Sequence, residues 1–165
     1  MKKILRVRIS EHNLARESER LQSYGLGSCV ALVLWDPHEK IGAMAHILLP
    51  SASNSGVRHK SAKYASSAVS LLIDELVQAG CRPQRLVAKI AGGATMFPHR
   101  FNVARKELGV NIGRRNVRAV RQALARKKIK LLAEEVGGEI GRTIEFNPRN
   151  GQMIVSKSSG EVIII

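Results

Sequence analysis

The chain has 165 residues, of which 44% are hydrophobic and 24% charged, the balance of a globular protein whose size lets it bury roughly two-thirds of its unfolded surface in one core. That excludes the disordered class and predicts a single domain over residues 1–165. The 27 Lys and Arg against 13 Asp and Glu give a net charge of +14, a field that attracts polyanions, either nucleic acid or an acidic protein surface.

In chain order, Ile4 to Ile9 reads as a strand with apolar Ile4, Val7 and Ile9 interleaved with arginines. The charges of Met1-Lys2-Lys3 resemble the start of a signal peptide, but Arg6 and Arg8 interrupt the apolar stretch one would need, so no secretion signal is expected. Glu11 to Arg20 is polar and predicts a surface loop or a short exposed helix. Cys29 to Trp35 is a continuous β-prone run, the pattern of a strand buried on both faces. It is far shorter than the ~20 residues a membrane-crossing helix requires, so no membrane insertion is expected.

Asp36-Pro37-His38-Glu39-Lys40 supplies turn chemistry, and the apolar stretch Ile41 to Leu49 follows, so the two runs predict a β-hairpin. Ser51 to Lys60 reads as a polar loop. From Ser61 to Ala79, Ala62, Ala65, Val69, Leu72 and Leu76 recur at steps of three and four, predicting an amphipathic helix that Gly80 ends. Arg85 to Ile90 predicts a buried strand, running into Ala91-Gly92-Gly93-Ala94, where glycine permits a tight turn.

Between Arg100 and Lys130 stand eleven Lys or Arg and one acid, Glu107. A helix is predicted over Arg114 to Lys127, with Val117, Val120 and Leu124 inward and Arg114, Arg118 and Arg121 outward, so the basic surface is a helix face. Ile129 to Val136, Glu139 to Phe146, Gln152 to Ser156 and Glu161 to Ile165 have strand character.

Chemistry is concentrated at Ser23-Tyr24-Gly25-Leu26-Gly27-Ser28-Cys29, which sets a cysteine where a glycine-rich turn enters a buried strand. Such a turn leaves backbone N–H groups available to an oxyanion, each worth ~3 kcal/mol in a dry pocket. A thiol needs a base to become an efficient nucleophile at neutral pH, and His46 is the candidate. With an even hairpin loop, Pro37 to Lys40, Asp36 pairs with Ile41 and Cys29 with Leu48. His46 then opposes Ala31 on the face of Cys29, whereas an odd loop without a bulge separates them. A cysteine in an apolar strand is equally the pattern of a small core residue, and His46 that of a buried, satisfied histidine.

Two cysteines and five scattered histidines make no metal-ligand spacing, so no zinc site is expected. Cys81, beside Gly80, reads as structural, and the pair of cysteines fits a reducing cytosol. Gly92-Gly93 lacks the Lys-Ser or Lys-Thr of a phosphate loop, so no nucleotide is expected.

Together, Gly25-Leu26-Gly27-Ser28-Cys29-Val30, Gly42-Ala43-Met44-Ala45-His46-Ile47-Leu48-Leu49-Pro50 and Lys63-Tyr64-Ala65 resemble the chemoreceptor glutamine deamidase family CheD. Lys89-Ile90-Ala91-Gly92-Gly93-Ala94, Met96-Phe97, Ile112-Gly113 and Arg115-Asn116-Val117 continue the resemblance, as do Val136-Gly137-Gly138, Gly141-Arg142, Phe146-Asn147-Pro148 and Gly151. It covers roughly residues 20 to 155.

The resemblance implies an α+β fold, a layered β-sandwich core of mixed sheet covered by helices, similar to deamidating-toxin cysteine hydrolases. It implies a catalytic Cys29 and His46 assisted by a hydroxyl at Ser23, where the family has threonine, with Gly27 and Ser28 at the oxyanion and no cofactor. Tyr24 likewise stands where leucine is usual. The implied substrates are the cytoplasmic domains of methyl-accepting chemoreceptors, with a CheC-type phosphatase as a further partner and the cytoplasm as location. The rival expectations are a basic nucleic-acid-binding module, against which the scarcity of aromatics in the basic stretch argues, and a catalytically inactive chemotaxis scaffold.

Overall fold

A computed structural model describes residues 2–52, 60–96 and 112–165. Among the described residues ten strands form two mixed five-stranded sheets. One has the order β1 (Lys3–Arg6), β3 (Glu19–Leu26), β8 (Arg142–Asn147), β9 (Gln152–Lys157), β10 (Val162–Ile164). The other has the order β2 (His12–Ala15), β5 (Ile41–Ile47), β4 (Val30–Asp36), β6 (Val87–Gly92), β7 (Lys130–Val136). The β1–β3 and β6–β7 pairs are parallel and the rest antiparallel.

The period-two geometry of β4 divides its apolar run between two cores. Val30, Leu32 and Leu34 join Leu72 and Leu76 of α1 (Ala65–Gln78) and Val120 and Leu124 of α2 (Ile112–Arg126) in a core between sheet and helices. Ala31 and Val33 face the other way, into a core between the sheets that holds Cys29, Met44, Leu21 and Phe146. A strand buried on both faces must read as continuous apolar sequence, and this one does. The three layers match the expected α+β sandwich, with helices covering one face of one sheet.

The 36–41 turn sets the register. Asp36 and Ile41 pair, with four residues between them. The buried Asp36 carboxylate accepts from the N–H groups of His38 at 3.0 Å and Glu39 at 3.2 Å and from the Arg85 guanidinium at 3.0 Å. Its burial alone would push the carboxyl up, but these donors outweigh it and hold it below the usual range.

Several expected boundaries move. The 11–20 segment, expected as a loop or short helix, is strand β2, a turn at Glu17–Ser18 and the start of β3. His12 to Ala15 pair with Gly42 to Ala45 at a sheet edge, where one polar face is tolerated. Residues 23–26, expected as part of a turn, belong to β3, with a register shift between Ser23 and Leu26. The first helix starts at Ala65 and not Ser61, because the Lys63 carbonyl accepts from the N–H groups of Leu48 and Leu49 and Tyr64 bridges Leu49. The polar loop expected over Ser51 to Lys60 and the first part of the basic stretch from Arg100 fall mostly outside the described residues.

Candidate active site

Residue by residue, the β4–β5 ladder runs from Asp36–Ile41 to Ala31–His46 and ends at Val30–Ile47. Cys29 lies one residue beyond that last rung, so it does not form the expected ladder pair with Leu48, but it keeps the side of the sheet that Ala31 and His46 share. Diagonal positions of this kind lie ~7–8 Å apart at Cα, within reach of a thiol and an imidazole. Cys29 retains 7% of its surface; His46 and Ser23 retain none.

The Ser23 hydroxyl lies 2.7 Å from the carbonyl of Val7 and 2.8 Å from Nδ1 of His46. A carbonyl can only accept, so the single hydroxyl proton goes to Val7 and Nδ1 must carry the proton that Ser23 accepts. In neutral imidazole this leaves Nε2 with its lone pair. Nε2 is buried and has no hydrogen-bond partner among the described residues. A satisfied core histidine would have one; this one presents an unused acceptor.

The backbone of His46 is fixed from the N-terminal side. Ser10 N–H donates to its carbonyl at 2.9 Å, and its own N–H donates to Glu11 at 3.0 Å. The segment whose polarity reads as surface loop therefore frames the histidine, a role invisible in composition.

The bend at residues 27–29 is clamped by the Gly92-Gly93 turn. Gly93 N–H donates to the Cys29 carbonyl at 2.7 Å and Ala94 N–H to the Gly27 carbonyl at 2.8 Å. Gly92 has φ +115°, and a Cβ there would stand 2.3 Å from the Cys29 carbonyl oxygen, so no other residue fits this approach. Gly27 has Met96 packed over it, with the Met96 side chain 2.9 Å from where a Cβ would be. The carbonyls of Gly27, Ser28 and Cys29 are all occupied, and among the described residues none of their N–H groups has a carbonyl partner.

Burial pushes the Cys29 thiol up, with its own backbone N–H pulling the other way. Burial also pushes His46 down, opposed by the Val7 carbonyl. Both shifts favour a neutral thiol and a neutral imidazole, on the face they share, over a resting ion pair. Such a pair can transfer a proton as the sulfur attacks. Cys81 is also a free thiol, buried in the helix–sheet layer and pushed up to about 11 by burial and the charges of Asp36 and Glu39.

Asn116 is the site residue that periodicity misses. It lies on the inward stripe of α2, between Gly113 and Val117, fully buried, and its amide donates to the carbonyls of Ser28 and Leu48. The available signal was a lone carboxamide on an otherwise apolar helix face.

With the geometry described, comparison with known proteins places the chain. The family model described as CheD chemotactic sensory transduction matches residues 48–157. A Geobacter metallireducens protein named probable chemoreceptor glutamine deamidase CheD 2 is 47% identical over 156 residues, 94% of each chain. The chain belongs to the CheD family. A Thermotoga maritima relative, named chemoreceptor glutamine deamidase CheD, is 43% identical over 97% of this chain and 94% of its own. A Desulforamulus reducens relative, named probable chemoreceptor glutamine deamidase CheD, is 41% identical over 92% of this chain and 89% of its own. Among solved structures, Bacillus licheniformis hypothetical protein YfiH has a TM-score of 0.44 and 16% identity, over 78% of this chain and 51% of that one, a likeness too slight to bear on function. Among the described residues no helix is long and apolar enough to cross a membrane, and no cluster of three metal-ligating side chains occurs.

Proposed function

We propose that this CheD-family chain is a hydrolase that converts glutamine side chains of chemoreceptors to glutamate and releases ammonia, with Cys29 as nucleophile and His46 as base. The relatives' names support the reaction and substrate. The observation that carries the residue roles is the orphaned Nε2 of His46, locked in its accepting tautomer by Ser23 on the face that Cys29 shares.

The Cys29 thiol gives its proton to Nε2 of His46 as sulfur bonds to the carboxamide carbon. The resulting oxyanion takes hydrogen bonds from the N–H groups of the 27–29 bend, Gly27 and Ser28 among them. The imidazolium returns its proton to the amide nitrogen, the C–N bond breaks and ammonia leaves a thioester. His46 then draws a proton from water, whose oxygen attacks the thioester carbon; the C–S bond breaks, the thiol regains its proton and glutamate remains. Ser23 holds the ring and stabilises the transient imidazolium through the Nδ1–H bond. The cycle requires no metal or cofactor.

The substrate surface of this reading is the outward face of α2. Arg114, Arg115, Arg118 and Arg121 line a cavity of about 660 Å³ that also includes Gly93, whose N–H holds the Cys29 carbonyl. An acidic helix of a chemoreceptor's cytoplasmic domain complements that charge and would bring its glutamine beside the bend. A CheC-type phosphatase is a second partner of the same reading, and residues 1–165 act as one cytoplasmic domain.

The test is mass spectrometry of a receptor co-expressed with the chain. The mass gain of deamidation at receptor glutamines is expected with the native sequence and not with Cys29→Ala. Deamidation undiminished by Cys29→Ala would remove Cys29 from the chemistry.

A further inference from the structure

The β4–β5 ladder stops one rung short of the residue it must position. Beyond Val30–Ile47 the strands part: Leu48 and Leu49 turn their N–H groups to Lys63, and the Cys29 carbonyl takes the N–H of Gly93. The carbonyls of Ser28 and Leu48 are left facing α2, and Asn116 closes both, at 2.9 and 3.0 Å. Two carbonyls fix which end of the carboxamide is the donor, because only the NH₂ can serve them.

The docking of α2 leaves little freedom at this point. A Cβ on Gly113 would lie 2.4 Å from the Ala94 carbonyl oxygen, and one on Gly93 would lie 2.3 Å from Val117. Helix and glycine turn are therefore in backbone contact, on the inward face that carries Asn116. The bond at Ser28 also polarises the peptide whose other end is the Cys29 N–H, strengthening that N–H as a donor.

We propose that Asn116 is a positioning residue that replaces the missing ladder rung, joining the strand end that carries Cys29 to the strand end that follows His46 and so holding thiol and imidazole in register. The inference rests on the pairing of Cys29 with His46 proposed above. It is tested without a receptor, so the two can fail separately.

Iodoacetamide alkylation of Cys29 is measured against pH in the native chain and in Asn116→Ala, Asn116→Gln, Val120→Ala and His46→Ala variants, with thermal unfolding followed in parallel. Val120 is a fully buried residue of the same helix with no polar contact, so Val120→Ala controls for loosened packing. The expected result is that Asn116→Ala slows alkylation about tenfold at neutral pH and gives the pH profile of His46→Ala, that Asn116→Gln recovers part of the rate by keeping the donor, and that Val120→Ala keeps the native profile despite its lower unfolding temperature. If Asn116→Ala fails to fold, Asn116→Leu, which fills a similar volume with no donor, decides: a native profile at native rate overturns the proposal. So does a native profile in Asn116→Ala, or an equal loss in Val120→Ala.

Discussion

Ser23 and His46 are joined hydroxyl to Nδ1 at 2.8 Å, and because the hydroxyl proton is committed to Val7, the bond fixes which nitrogen of the imidazole is bare. The carbonyl of a residue outside β1 thus decides the tautomer of a histidine 39 positions later in the chain. Ser23→Ala removes the acceptor from Nδ1–H and releases the ring. A buried hydrogen bond to a group that becomes charged contributes about 1.5–3 kcal/mol, so kcat/KM for ammonia release should fall about 10- to 100-fold. Ser23→Thr keeps the hydroxyl and restrains its rotamer, and should retain at least native activity. Steady-state kinetics on a receptor fragment checks both.

The two thiols should differ in reactivity. Cys81 sits near Asp36 and Glu39, whose negative charges add to burial in disfavouring its thiolate, and is pushed up to about 11. Cys29 is also pushed up but shares a face with a bare imidazole nitrogen. Peptide mapping after brief iodoacetamide treatment at neutral pH should find the label on Cys29, and His46→Ala should remove most of it.

The pH dependence follows from the two shifts. His46 titrates below its ordinary 6.5 and must be neutral to act, so kcat/KM should rise through a limb below pH 6.5 and level off at neutrality. Cys29 stays a thiol until above its ordinary 9.0, so no second acidic limb from thiolate formation is expected. Stability has the same sign. Between the folded and unfolded pKa of His46 the unfolded chain holds more protons, so stability falls as pH drops through that window below 6.5. Asp36, with its folded pKa below the ordinary 3.8, adds a second loss as pH falls from the unfolded value through the folded one. Urea unfolding at several pH values measures both.

Gly92→Ala should cost more than about 2 kcal/mol and most of the activity, since the new methyl meets the Cys29 carbonyl in a backbone conformation that also resists a side chain. Gly160→Ala is the contrast. Its φ is +94°, nothing lies within 4 Å of its Cβ, and a loss of about 1 kcal/mol with native activity is expected. Denaturant midpoints and ammonia release separate the two.

Receptor engagement should be electrostatic. Arg114 and Arg118 are exposed on α2, and reversing both to Glu should weaken binding of an acidic receptor fragment at least tenfold while leaving iodoacetamide labelling of Cys29 unchanged. Raising salt to about 1 M, where the Debye length is ~3 Å, should weaken native binding in the same way. Equal affinity of the reversed variant would move the docking surface elsewhere.

What the sequence determined by itself was local and periodic. The Cys29–Trp35 run had to be doubly buried, Asp36 to Lys40 had to turn, and the 114–127 periodicity had to put arginines outward. Each of these follows from neighbours along the chain or from one strand pairing with the next. Tertiary structure decided the rest. That Nε2 of His46 is left an acceptor without a partner among the described residues depends on Val7, Ser10 and Glu11 arriving from the N-terminal segment, whose polar residues look like loop because β2 is an edge strand. That Asn116 reaches Ser28 and Leu48, and that Gly92 must be glycine, depends on backbone approaches between segments more than 40 residues apart, and no periodicity within a segment encodes such contacts.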